Sequence, residues 1–114
     1  MSTTIENTKK WLEKIEQHIE IEGKCGKGRK LASLLDVNAS TISKQKQETL
    51  EMQTDQATKT ARILGVLPML VISSTSYHRC IKEKEYENAE MWKKIYEKTS
   101  REQAEQMELE NGIA

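Results

Sequence analysis

The 114-residue chain has no phenylalanine, one proline and two cysteines, and its 18 basic residues cancel its 18 acidic ones. Each shortage excludes something. Aromatic residues are 4% of the composition and valines are few, so little favours a sheet. Cys25 and Cys80 alone make no disulfide framework, which fits a reducing compartment. The longest apolar stretch, "ILGVLPMLVI" at 63–72, is broken by Gly65 and Pro68 and falls well short of the roughly 20 residues that span a bilayer. The first residues carry no apolar core of the kind a secretory leader needs. The expectation is a soluble, cytoplasmic protein.

What remains is rich in lysine, glutamate, glutamine and alanine, all good helix formers. An all-α fold follows. A domain of this length buries a modest core, and dimerisation would add to its stability. The neutral total hides a segregation of sign. Between Gly23 and Leu50 the positives are Lys24, Lys27, Arg29, Lys30, Lys44 and Lys46, against Asp36 and Glu48, a local excess of four. From Glu102 onward the charges are Glu102, Glu105, Glu108 and Glu110, all negative. Local sign governs partners more than the sum does.

Helical periodicity runs through the chain. Thr3 and Glu6 have the spacing of a capping box, and Trp11, Leu12, Ile15 and Ile19 form one stripe, so a first helix is expected over about 4–20. "EGKCGKG" at 22–28 is a glycine-rich connection; it lacks the GxxxxGK[ST] phosphate-loop pattern. A second helix is expected over 27–35 with Leu31, Leu34 and Leu35 inward. A third follows over 39–47 with Asn38 as N-cap. Thr54 or Asp55 should cap a fourth helix, with Ala57, Ala61 and Leu64 on its inner side and Gly65 at its end. Pro68 suits the first turn of a fifth helix reaching about residue 83. "KEKEYEN" at 82–88 marks a break, the alternative being one long helix through it. A sixth helix should follow, with Ala89, Trp92, Ile95, Tyr96 and Thr99 on one side and a frayed end at "ELENGIA".

"LASLLDVNASTISK" at 31–44 has the parts of a helix-turn-helix. Two short helices joined by a sharp turn need a small residue where they approach, which Ala32 supplies. Val37 is the apolar plug after the turn, and Ile42 is the one core anchor of the second helix. Around it Ala39, Ser40, Thr41, Ser43 and Lys44 are small or polar enough to enter a DNA groove.

The block "LASLLDVNASTIS" resembles the LAxxLGVsxsTIS pattern of the phage repressor and Cro-like helix-turn-helix family, and "ATKTARILGVLP" resembles the part of that fold that follows. The second block is similar to a small phage-related group within it, whose helical tail carries a tryptophan as "AEMWKKI" does here. The resemblance covers about residues 10–99. It implies a five-helix repressor-like domain at 1–83 with a C-terminal helical extension at 84–114. It also implies a homodimer in a bacterial host cytoplasm that binds double-stranded operator DNA as a transcriptional regulator. By position, Ser40, Ser43 and Lys44 would face base edges. Thr41 and Lys46 would touch phosphate, and Lys27, Arg29 and Lys30 would meet the backbone at the start of helix two. Three residues depart from the pattern: Asp36 stands at a usual glycine, Gln45 at a usual aromatic and Glu48 at a usual terminal glycine.

Trp92, Ile95 and Tyr96 form a stripe too apolar for a lone helix, so the tail either folds back or forms a dimer seam. The departures and the acidic end leave a second reading open: an antirepressor-like module that keeps the scaffold and binds another regulator protein. No metal or cofactor is expected, since His18, Cys25, His78 and Cys80 lack a zinc-site spacing. No constellation of nucleophile and base points to an enzyme.

Overall fold

A computed structural model describes residues 4–19 and 27–112. Among them the chain is all-helical, without a strand. Its helices are α1 Thr8–His18, α2 Lys27–Leu35, α3 Ala39–Lys46, α4 Thr54–Leu64, α5 Pro68–Lys82 and α6 Tyr86–Gly112. None is long and apolar enough to cross a membrane.

α1 starts later than the Thr3–Glu6 spacing suggests. Asn7 is the N-cap: its backbone is extended and its side-chain oxygen accepts from Lys10 N at 3.0 Å. Thr3 lies outside the described residues, and Glu6 instead pairs with Lys14 across 3.1 Å. An asparagine at that place satisfies a free amide directly, which a box three residues further out could not do. Thr8, Trp11, Leu12 and Ile15 then face inward. Of the glycine-rich connection at 22–28, residues 22–26, with Lys24 and Cys25, lie outside the described residues, while Lys27 and Gly28 open α2.

In α2, Leu31, Ala32 and Leu35 are buried, but Leu34 is 42% exposed, against the inward placement expected of it. Each residue advances about 100° around a helix. Once Ala32 faces its neighbours, Leu34 is turned to the far side. Asn38 and Gln53 hold the N-cap positions of α3 and α4 without a side-chain cap bond, so neither Thr54 nor Asp55 is the cap of α4.

Four helices end on a left-handed residue: Asp36 (φ 55), Glu48 (φ 63), Gly65 (φ 69) and Lys84 (φ 60). After α2, Asp36 N donates to Ser33 O at 3.3 Å and Val37 N to Ala32 O at 3.0 Å; the same pair of bonds recurs after α3 and α5. This is the Schellman arrangement, where glycine is favoured because a Cβ crowds the backbone. Only Gly65 is a glycine. Lys84 is exposed, so Lys84→Gly should raise stability by about 0.5–1 kcal/mol, read as a higher urea midpoint. A lower midpoint would show that the Lys84 side chain contributes to the fold.

α5 lies between α4 and α6 and packs along both. Its inner residues include Ser73, Ser74, Thr75 and Ser76, all buried. Small side chains let two neighbours approach, and their hydroxyls turn back onto the helix: Thr75 Oγ1 donates to Val71 O at 2.8 Å and Ser73 Oγ to Met69 O at 2.6 Å. Trp11 Nε1 donates to Ser74 Oγ at 2.7 Å, tying α1 to α5 through a buried bond.

The break at 83–85 returns α6 along α5. Ala89, Tyr96 and Thr99 are buried, while Trp92 and Ile95 are half-buried. Tyr96 joins the main core, and its hydroxyl donates to Thr4 O at 3.2 Å. Gln103 Oε1 accepts from Leu67 N at 2.7 Å at the corner between α4 and α5. Beyond Gln103 the side chains of 104–110 are exposed, and the helix runs through the stretch expected to fray as far as Gly112.

Candidate nucleic-acid interface

α2, the turn at 36–38 and α3 form a compact hairpin. The Schellman bonds close the end of α2, Val37 packs against the core, and α3 starts at Ala39. α3 has only eight residues and sits on α2 and α1. Ile42, 1% exposed, is its apolar anchor.

A second inward residue of α3 was not expected. Gln45 is 1% exposed and faces Gln56 of α4, itself buried. Gln45 Nε2 donates to Gln56 Oε1 at 2.8 Å, and Gln56 Nε2 donates back to Gln45 Oε1 at 2.7 Å. The signal was its place three residues after Ile42, on the same helical face. A polar side chain at a usual aromatic position hid it.

With Ile42 and Gln45 inward, the opposite face of α3 carries Ser40, Ser43 and Lys44, all exposed along with Ala39 and Gln47. Neither the tail nor any other described element covers them. Thr41 is half-buried at the rim of a groove shared with Asp36, Val37 and Gln56.

The cations divide into two groups. Lys46 reaches Glu16 of α1 across 2.9 Å, and Lys59 reaches Asp36 across 3.5 Å. Lys44, Arg29 and Lys30 are exposed and have no ion-pair partner among the described residues. Lys27 opens α2, but its side chain lies outside the described residues. Glu48, at the end of α3, accepts from Asn7 Nδ2 at 2.9 Å. That bond anchors a carboxylate at the end of α3.

Trp92 and Ile95 keep part of their surface free, whereas Tyr96 does not. The expectation that Tyr96 belongs to a dimer seam is corrected: its ring fills the chain's own core, because the break at 83–85 folds α6 back along α5. The apolar side chains that α6 does expose are Tyr86, Met91, Met107 and Leu109.

No group of three or more metal-ligating side chains gathers among the described residues. His78 Nε2 lies 2.7 Å from Ile5 O, and His18 is exposed. Burial pushes the Cys80 thiol up from its ordinary range, with the charges of Glu85 and Glu83 adding to the shift and Arg79 opposing it. Its nucleophilic thiolate is therefore disfavoured.

Comparison with known proteins adds nothing to this geometry: no family model, no curated protein and no solved structure matches the chain.

Proposed function

We propose that the chain is a repressor-like helix-turn-helix protein that binds operator DNA as a homodimer and regulates transcription, of phage or prophage type. The observation that carries this reading is the division of α3 into two faces. Ile42 and Gln45 hold it from within, and Ser40, Ser43 and Lys44 project from an uncovered surface. A helix so exposed fits the width of a major groove. Lysine there donates to guanine O6 and N7, and the serine hydroxyls donate to or accept from either base type. Arg29 and Lys30, on the neighbouring α2, supply phosphate contacts that set register without reading sequence. Two copies whose α3 helices lie about 34 Å apart would read a palindrome. The part-exposed Trp92 and Ile95 and the exposed end of α6 offer apolar surface for that pairing.

Anisotropy titration tests the reading, using duplexes selected by the protein from a random library. Selection of a palindromic motif, with affinity that falls as salt rises, is the expected outcome. No enrichment at low ionic strength would remove it. Lys44→Ala should weaken specific binding by about 1–3 kcal/mol and relax the preference at one base pair. An unchanged affinity and preference would exclude Lys44 as a base-reading group.

One observation favours a second reading, an antirepressor-like module that grips another regulator. Lys46 and Lys59 are neutralised within the chain, and the exposed end of α6 bears Glu102, Glu105, Glu108 and Glu110. Co-purification with a host or phage regulator, without enrichment of any duplex, would select it.

A further inference from the structure

Ile42 fixes where α3 sits, but an apolar anchor alone fixes its roll poorly. Hydrophobic contact is non-directional, so a short helix pinned at one side chain can rock about its own axis. A roll of about 20° on a helix of about 5–6 Å radius moves a side-chain tip by about 2 Å. A hydrogen bond to a base edge does not survive that displacement.

The Gln45–Gln56 pair supplies a buried constraint, beside the more exposed ties of Lys46 to Glu16 and of Glu48 to Asn7. Its two bonds run head to tail between the two amides at 2.8 and 2.7 Å. Both amides are buried, and no nitrogen or oxygen of either is left without a partner. The more extensive neighbours of α3 are α2 and α1, so the pair is a directional tie from α3 to a third helix. Gln56 is itself held by its place beside Ala57, Thr60 and Ala61 on the buried face of α4. Two reciprocal bonds resist rotation where a single bond would swivel. Since Gln45 lies opposite Ser40 and Ser43 on the wheel, a fixed roll at one face is a fixed aim at the other.

We propose that Gln45 and Gln56 are positioning residues: their reciprocal amide pair sets the roll of α3 and through it the sequence discrimination of Ser40, Ser43 and Lys44. The inference rests on the DNA-binding reading for its consequence, but the clamp itself is a property of the free protein. Amide pairs of this kind also behave distinctively under substitution. Removing one partner orphans the other in a buried site, whereas replacing both with apolar groups of similar shape can be nearly neutral to stability.

The test is therefore the paired variant Gln45→Met with Gln56→Met, since either single change can simply unfold the chain. Hydrogen exchange of the α3 amides reads the clamp without DNA. In the paired variant, at an unchanged urea midpoint, residues 42–46 should exchange about tenfold faster than in the native chain while α4 is unaltered, a local opening. Equal α3 exchange would overturn the clamp. Titration against the duplex selected by the native protein and against a scrambled one reads the consequence. Their affinity ratio should fall by roughly tenfold, the equivalent of one lost base contact, with binding to the scrambled duplex unchanged. A ratio equal to that of the native chain would overturn the link to discrimination. If the native chain selects no duplex, the DNA-binding reading fails, and the exchange result still decides the clamp.

Discussion

Replacing Ile42 with alanine is expected to destabilise the protein by about 2–4 kcal/mol and to abolish whatever α3 does. α3 spans Ala39–Lys46, and Ile42 is its single large apolar residue, 1% exposed. Eight residues are far too few for a helix to persist alone in water; packing must hold it. Truncation removes several methylene groups from a site between α1 and α2, and the cavity adds to the lost transfer free energy. Ile42→Val should cost only about 0.5–1.5 kcal/mol, which separates cavity size from mere presence of an apolar group. Urea unfolding followed by circular dichroism measures both. An alanine variant within 0.5 kcal/mol of the native chain, a margin typical of an exposed surface site, would show that α3 is held by something other than this anchor.

Glu51→Ala should cost nearly as much, about 2–3 kcal/mol, although Glu51 belongs to a connection and not to a helix. Its side chain is 1% exposed. One carboxylate oxygen accepts from Thr8 N, the first amide of α1, at 3.1 Å; the other accepts from Lys82 Nζ of α5 at 2.8 Å. Around it Met52 N donates to Thr8 Oγ1 at 2.9 Å, and Arg79 donates to Met52 O. A carboxylate at a helix N-terminus also meets the positive end of the helix dipole. Alanine leaves a buried amide without an acceptor. Lys82, 38% exposed, can turn to water, so the cost stays below that of breaking a fully buried ion pair. Glu51→Gln keeps an acceptor for Thr8 N and should recover about half of the loss. Equal losses for alanine and glutamine would show that the charge facing Lys82, not the cap on α1, carries the effect.

These two residues differ in how far the chain alone reveals them. Ile42 is legible: it recurs within a spacing whose neighbours are all small or polar. Gly65 and Pro68 are legible for backbone reasons, as a left-handed end and a helix start. Glu51 is not, because its partners Thr8 and Lys82 are 43 and 31 residues away. Leu34 is exposed because Leu31, Ala32 and Leu35 centre the buried face of α2 on the side away from it, and the i, i+3, i+4 spacing of the leucines alone does not show which edge of the stripe faces the core.

The candidate interface divides the same way. The serines and Lys44 of α3 stand out as a polar run following an apolar anchor. The neutralisation of Lys46 by Glu16 does not, since it depends on how α1 crosses α3. Gln45 was visible only as a departure from a pattern. Its meaning as a buried partner of Gln56 needed both helices in place.

Sequence by itself determined the helices and the inward stripes of α1, α4 and α6, because periodicity is a local property that neighbours within one or two turns dictate. Tertiary structure alone decided which polar groups are spent inside the chain. Glu51, Gln45, Lys46 and Tyr96 each meet a partner in another segment of the chain, and for Glu51 and Gln45 burial makes those meetings matter: in a dry interior every unpaired donor or acceptor is costly, so packing selects their partners.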